Sequence, residues 1–410
     1  MAVTLQSIFQ QHFDAFAERH RLSRDMFRAA WAVRHCRTRE LGGHVNSCPD
    51  GHFHQIAYNS CRHRSCPQCG WLPKEQWLAG WRTRLLPCPH HHIIFTVPHS
   101  LNDLWRFNKA AFADTLFAAA SQTLSELLGD VKFLGGRVGV LAALHTWNQE
   151  LKSHVHLHTI VTAGGLDGDG QWRKPVKKCL LPRKVLMIKF RGKFKAMLRE
   201  KLRQGRMKLP PGMTGDAFER LLRELTAVPW NVKVFDAYRN GVSVATYLAR
   251  YIKGGPIGNS RLLSLKNGRV VFRYRLPHRR GGDGKRQAKM DLPVDTFIGR
   301  WLQHVPPRRF QTVRGYGLYC GNQHSRWECA AETLGVRVDV NAGDDLSVEE
   351  IRDWQDWCEA AGMSDVCRCP KCNKRLVSHH EFASGRGPPV GALPYRQSVK
   401  QGNVAGGMIA

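Results

Sequence analysis

Acidic residues are few in this chain relative to its basic ones. Its 410 residues hold 33 Asp and Glu against 62 Lys and Arg, a formal net charge of +29. A surface so short of carboxylates repels cationic partners and concentrates polyanions, which raises its rate of encounter with nucleic acid. Long apolar runs are missing as well. No stretch approaches the ~18 uninterrupted apolar residues of a membrane-spanning helix. Residues 1–21 mix Gln, Asp, Glu and His among apolar side chains, so no secretory signal is expected there. Glycine loops of the Rossmann or P-loop kind are absent, as are internal repeats, so the doubly wound nucleotide-binding folds drop out.

What is present is otherwise ordinary: 42% hydrophobic and 23% charged residues, in a length that allows two or three domains with real cores. The 13 cysteines are the exception, because most of them fall in two regions with Cys-x-x-Cys spacing. Without a secretory signal that spacing favours metal thiolates over disulfides. The expected location is the bacterial cytoplasm, at the nucleoid.

Periodicity gives a coarse map. Helical spacing covers residues 1–35, Trp71–Leu86, Leu101–Leu128, Arg183–Arg206, Asp216–Leu225, Val244–Ile252, Pro293–His304 and Val348–Ala361. Strands are expected at His92–Pro98, Val138–His145, Val155–Ala163 and Val232–Phe235, with a hairpin turning at Asn267-Gly268 into Arg269–Arg275. Strands interleaved with helices in this way predict an α+β fold, a sheet covered by helices. From Ala383 onward Gly, Pro, Ala and Ser dominate, and the tail is expected to be disordered.

The most informative stretch is Ser153–Val161. Alternate side chains of a strand share a face, so His154, His156 and His158 line one side while Val155, Leu157 and Val161 line the other. Two neutral imidazoles at adjacent same-face positions form half of a divalent-metal site. His156 and His158 adjoin the apolar run Thr159-Ile160-Val161 and are the preferred pair, with His154 as a partner that orients them. Asn148, Gln149 and Glu150 lie upstream as oxygen donors, and the third ligand stays open. Two histidines plus an oxygen predict Mg2+ or Mn2+ acting as a Lewis acid on phosphate. The bland alternative is an exposed or hydrogen-bonded histidine edge.

Tyr247 and Tyr251 stand four residues apart and share one face of a helix. Each phenol could attack phosphorus, leaving a 5′-phosphotyrosine and a free 3′-hydroxyl, so that the bond energy is kept for rejoining. Arg250 and Lys253 on the same helix could hold DNA phosphates. Taken alone, tyrosines beside the apolar stripe Val244, Leu248 and Ile252 are core residues. Beside a histidine strand in so basic a chain, they predict an enzyme that cuts DNA.

These motifs resemble those of the two-tyrosine HUH rolling-circle transposases of the insertion-sequence ninety-one family. His156-Leu157-His158 matches the histidine–hydrophobe–histidine motif, and Tyr247 with Tyr251 the two-tyrosine signature. Phe95-Thr96-Val97-Pro98-His99, the segment Cys61–Cys69, Tyr247–Arg261 and Val313-Arg314-Gly315-Tyr316-Gly317 are similar to further family blocks in the same order. The resemblance implies an HUH endonuclease core with a central antiparallel sheet flanked by helices. It implies an N-terminal zinc-binding domain, a basic C-terminal domain, and single-stranded DNA at element ends and target as partner. Two rivals remain: a replication-initiator nuclease of a plasmid or phage, and a zinc-dependent DNA-binding regulator without catalysis.

Cys66-Pro67-Gln68-Cys69-Gly70 is a knuckle that presents two thiolates to Zn2+. Its partner half is expected from Cys48 with His52, or from Cys48 with Cys61. The family element often begins Cys-x-x-Cys-Gly, whereas this chain reads Cys48-Pro49-Asp50-Gly51-His52, which leaves the fourth ligand open. Cys369-Pro370-Lys371-Cys372 is a second knuckle, with Cys358, His379 or His380 as further donors. His90-His91-His92 is expected as a solvated strand entry. From Arg173 to Lys208, 15 of 36 residues are basic and only Glu200 is acidic. Lys193 and Lys195 are the expected phosphate contacts there, with Trp172 and Phe194 stacking on unpaired bases. The predicted division is 1–86 (helices and zinc domain), 87–260 (nuclease core), 261–382 (DNA-binding domain with the second knuckle) and 383–410 (tail).

Overall fold

The computed structural model describes residues 2–385, apart from 177–179, 240, 243–244, 247–248, 250–254, 277–285 and 337–352. The chain opens with α1 (Leu5–Arg19), α2 (Arg24–His35), β1 (Gly43–Ser47), β2 (His54–Tyr58) and α3 (Trp71–Arg84). There follow β3 (His90–Thr96), α4 (Asn102–Phe107), α5 (Lys109–Gly129), β4 (Gly139–Trp147) and β5 (Ser153–Thr162). Next come β6 (Gly165–Leu166), β7 (Trp172–Arg173), α6 (Arg183–Arg203), α7 (Gly215–Ala227) and β8 (Val232–Val234). Beyond them lie β9 (Leu262–Lys266), β10 (Arg269–Arg275), β11 (Gln287–Pro293), β12 (Val313–Gly317) and β13 (Val377–Phe382).

Two compact units form, each from separated segments. The described parts of 1–75, 253–302 and 347–410 make one; those of 76–252 and 303–346 make the other. The sequence predicted consecutive blocks with borders near 86, 260 and 382. Strand pairing breaks that order, because β13 pairs with β1 and β12 pairs with β4. Pairing of this kind leaves no local periodicity for a sequence reading to find.

The second unit is built on a five-stranded sheet in the order β12-β4-β5-β3-β8, every neighbour antiparallel. The histidine strand β5 is its centre. One face is covered by α5, α6 and α7, whose Phe112, Phe117, Phe190, Phe194, Phe218 and Leu222 pack with Val140, Val155, Leu157 and Val161. The opposite face carries Leu141, Ala143 and Ile160, packed with Leu78, Trp81, Ala245, Ala249 and Tyr319. The expected single helix over Leu101–Leu128 is split at Asn108. There the side-chain amide donates to Leu104 O and Lys208 O at 3.1 and 2.7 Å, and its oxygen accepts from Lys208 N at 2.8 Å. An amide that competes for backbone groups ends one helix and starts the next. The glycines of the 313–317 block have a steric reason. A Cβ at Gly315 would sit 2.0 Å from Tyr319 O, and one at Gly317 (φ +59°) 1.9 Å from Val138 O.

In the first unit Thr4 caps α1 through a reciprocal bond with Ser7. Phe9 meets Trp301 edge-on at 4.9 Å, and Arg19 pairs with Asp295 at 3.0 Å. The hairpin strands β9, β10 and β11 form one sheet, and β13-β1-β2 another. Residues 386–410, most of the predicted tail, lie outside the described residues. Among the described residues no helix is long and apolar enough to cross a membrane.

Candidate functional site

Directly opposed residues of antiparallel strands share a face. The register pairs His156 with His145 of β4, and His158 with Ala143, so three histidines meet on the face of Leu141 and Ile160. His145 Nδ1 lies 2.8 Å from His156 Nε2, which lies 3.0 Å from His158 Nε2. All three rings are buried. Burial first, and then the neighbouring imidazoles, hold His156 down to about 3 and push His145 and His158 well below the usual histidine range. The rings are therefore neutral at physiological pH, the form that binds metals.

Partners fix which nitrogen is bare. His156 Nδ1 donates to the His154 carbonyl at 2.7 Å, which leaves Nε2 without a proton and aimed at the cluster. His158 Nδ1 lies 2.8 Å from Nε2 of His92, whose ring stacks between His158 and Phe235. His154 itself turns to His99 at 3.0 Å. Three nitrogens each about 2.1 Å from an ion on one octahedral face lie about 3 Å apart, so the spacing fits a divalent cation.

His145 brings a third nitrogen beside the pair that the sequence singled out, and Glu150 is not in this group. Counting back from the Trp147–Ser153 pair beside the turn would set His145 opposite Val155; an irregularity between His145 and Trp147 shifts it to His156, so no local signal gave it away. The run His90-His91-His92 is not a solvated entry, for all three rings are buried. His90 bonds Tyr319 Oη at 2.5 Å and the Cys88 carbonyl at 2.8 Å, while His92 contacts the cluster.

The cysteines sort differently from expectation. Cys61, Cys66 and Cys69 gather with Cys36, the residue that ends α2, and all four sulfurs lie within 4.8 Å of one another. Cys61 and Cys69 approach to 3.6 Å, close to the ~3.8 Å edge of a tetrahedron with Zn–S bonds of about 2.3 Å. Hydrogen bonds among the four sulfurs hold the Cys69 thiol below its usual range and push those of Cys61 and Cys66 above it. Cys48 and His52 are not part of this group; they meet Cys369 and Cys372. A lone Cys36 at a helix end, 25 residues before its nearest partner Cys61, carries no knuckle spacing to betray it.

Comparison with known proteins bears on these sites. Residues 139–326 match a family model described as "Putative transposase", and residues 8–97 match the "Transposase zinc-binding domain". A Sinorhizobium fredii protein, y4qJ, carrying the same two-word description as the first model, is 34% identical over 391 residues, 93% of this chain and 96% of its own. The transposase for insertion sequence element IS801 from Pseudomonas savastanoi pv. phaseolicola is 31% identical over 291 residues, 69% of this chain and 67% of its own. No solved structure matches.

The chain belongs to the insertion-sequence ninety-one family of transposases.

A transposase cleaves and transfers DNA, so DNA is the partner of the positive charge, and the N-terminal domain binds structural zinc. The α+β architecture, with its central antiparallel sheet, agrees with the family's HUH core. The basic helix α6 departs from expectation. Lys195 is buried with its ammonium on Thr226 Oγ1, Lys193 pairs with Glu126 at 2.8 Å, and Phe194 is fully buried in the core. Helical periodicity turns Phe194 into the core, and Lys193 and Lys195 toward Glu126 of α5 and Thr226 of α7. Trp172 is half-buried against the second-face cluster. Tyr247, Arg250, Tyr251 and Lys253 lie outside the described residues, whereas Ala245 and Ala249 between and beside them pack on the histidine face.

Proposed function

We propose that this transposase nicks single-stranded DNA at the ends of its mobile element and rejoins it to a target through 5′-phosphotyrosine intermediates, by a metal-assisted rolling-circle route. The observation that carries the reading is the convergence of three neutral, buried imidazoles from two adjacent strands. His145, His156 and His158 would hold a divalent ion, which supplies Lewis acidity toward a phosphate oxygen. Three imidazoles suit Mn2+ better than Mg2+, whose shell is preferably all oxygen. The His154 carbonyl and His92 position two of the ligands. Cys36, Cys61, Cys66 and Cys69 hold the structural zinc of the N-terminal domain.

Tyr247 and Tyr251 are the nucleophiles. One phenolate attacks phosphorus, the P–O3′ bond breaks, and the departing oxygen takes a proton to become a 3′-hydroxyl. The second tyrosine repeats the cut at another site. A free 3′-hydroxyl then attacks the phosphotyrosine, restores a phosphodiester and releases the phenol, so no external energy source is needed.

The test incubates the protein with 3′-labelled single-stranded DNA from the element ends and Mn2+. A labelled covalent adduct mapping to Tyr247 or Tyr251 is expected. It should vanish in the Tyr247→Phe, Tyr251→Phe double variant, with DNA binding retained. Cleavage that survives both substitutions refutes the reading.

A further inference from the structure

A second sulfur cluster stands apart from the one in the zinc-binding domain. The loop joining β1 to β2 brings Cys48 and His52, and the turn before β13 brings Cys369 and Cys372. Cys48 Sγ lies 3.4 Å from Cys372 Sγ, 324 positions along the chain, and 3.8 Å from His52 Nδ1. Both turns are shaped to present ligands. Gly51 N donates to Cys48 O at 2.9 Å with φ +74°, closing one loop. In the other, Lys371 N faces Cys369 Sγ at 3.4 Å, and Asn373 takes φ +61° to return its amide to Cys369 O. Amides aimed at sulfur stabilise thiolates.

Among the described residues, carbon packing between these two loops is thin. The local core consists of Leu376 with the sulfurs of Cys48 and Cys369, flanked by half-buried Phe53 and Cys372. One leucine and part of a phenylalanine amount to roughly 3–5 kcal/mol of burial, too little to order the segments around them. Nor is the surface here built for phosphate. Lys374 pairs with Asp50 at 2.8 Å, Arg375 with Asp356 at 2.7 Å and with Glu359, and Arg368 with Glu359 at 2.9 Å.

We propose that Cys48, His52, Cys369 and Cys372 form a second structural zinc site, which fastens the C-terminal strand β13 onto the N-terminal β1–β2 hairpin. Four protein donors fill a tetrahedron and leave no position for substrate, so the site is closed and structural. The matched zinc-domain model ends at residue 97 and contains neither Cys369 nor Cys372. The site thus completes a zinc ribbon from both ends of the chain, and explains why β13 pairs with β1.

The test counts zinc per chain by plasma mass spectrometry in a His156→Ala, His158→Ala background, where the histidine cluster holds no ion. About two zinc ions are expected. Cys369→Ser with Cys372→Ser should leave one, and Cys36→Ser with Cys69→Ser should leave the other. Unchanged zinc in the first pair overturns the proposal. If that pair loses both ions through misfolding, His52→Cys decides. The cobalt-substituted protein should then keep both ions and gain thiolate-to-cobalt absorption by one thiolate's share; an unaltered spectrum overturns the site.

Discussion

Replacing His145 with alanine tests the feature on which the catalytic reading rests. The ring is buried, faces His156 across the strand pair, and offers one of three converging nitrogens. Mutating groups that merely orient a metal ligand weakens binding ~10–100-fold. Losing a ligand nitrogen belongs at the upper end, about 100-fold, or ~2.8 kcal/mol at 1.4 kcal/mol per decade. The fold should persist, because β4 keeps its ladder to β5 and β12, and a truncation of this size costs roughly 1–3 kcal/mol. Adduct yield is measured on labelled single-stranded DNA across a Mn2+ titration, with circular dichroism as the fold check. The midpoint should move about 100-fold upward and activity should return at high Mn2+. His154→Ala is the control: its carbonyl, not its ring, orients His156, so the midpoint should stay within about threefold. A folded His145→Ala protein with an unmoved midpoint would remove His145 from the site.

Three further outcomes are expected. Cys36→Ser should release one zinc and lower stability by about 3 kcal/mol, a quarter of the ~10–16 kcal/mol of a four-ligand site; retained zinc by mass spectrometry contradicts it. Burial holds His90 down to about 4, against an ordinary 6.5, so the unfolded chain takes up this proton first. The stability it contributes is whole above 6.5 and is lost as pH falls toward 4, by ~3 kcal/mol in all. His90→Gln should flatten that fall in urea unfolding series, and an equally steep variant speaks against it. Lys195→Met should leave the salt dependence of DNA binding unchanged, because the ammonium already bonds Thr226 Oγ1; a phosphate-bound lysine would lower the slope by about 0.9.

Much of the site was legible in the chain itself. Alternation across 153–161 fixed which imidazoles share a face, and that face is the one the structure gives them, because a period of two is a property of the strand alone. Many of the helix positions among the described residues followed for the same reason, with Asn108 as a break that periodicity passes over and His324–Thr333 as a helix it did not mark. Local pattern also set the knuckles Cys66–Cys69 and Cys369–Cys372. What the pattern could not carry was pairing at a distance. His145 became a candidate ligand only through strand register, Cys36 joined its sulfurs only through the return of residues 61–69 to the end of α2, and Cys48 left that group for Cys372 because β13 pairs with β1. Likewise Lys195 and Phe194 read as a DNA surface until α6 found its neighbours. Charge, composition and spacing determined the chemistry this chain can attempt. Which donors converge on one point was decided by the tertiary fold, since ligand geometry depends on contacts between segments that sequence distance does not encode.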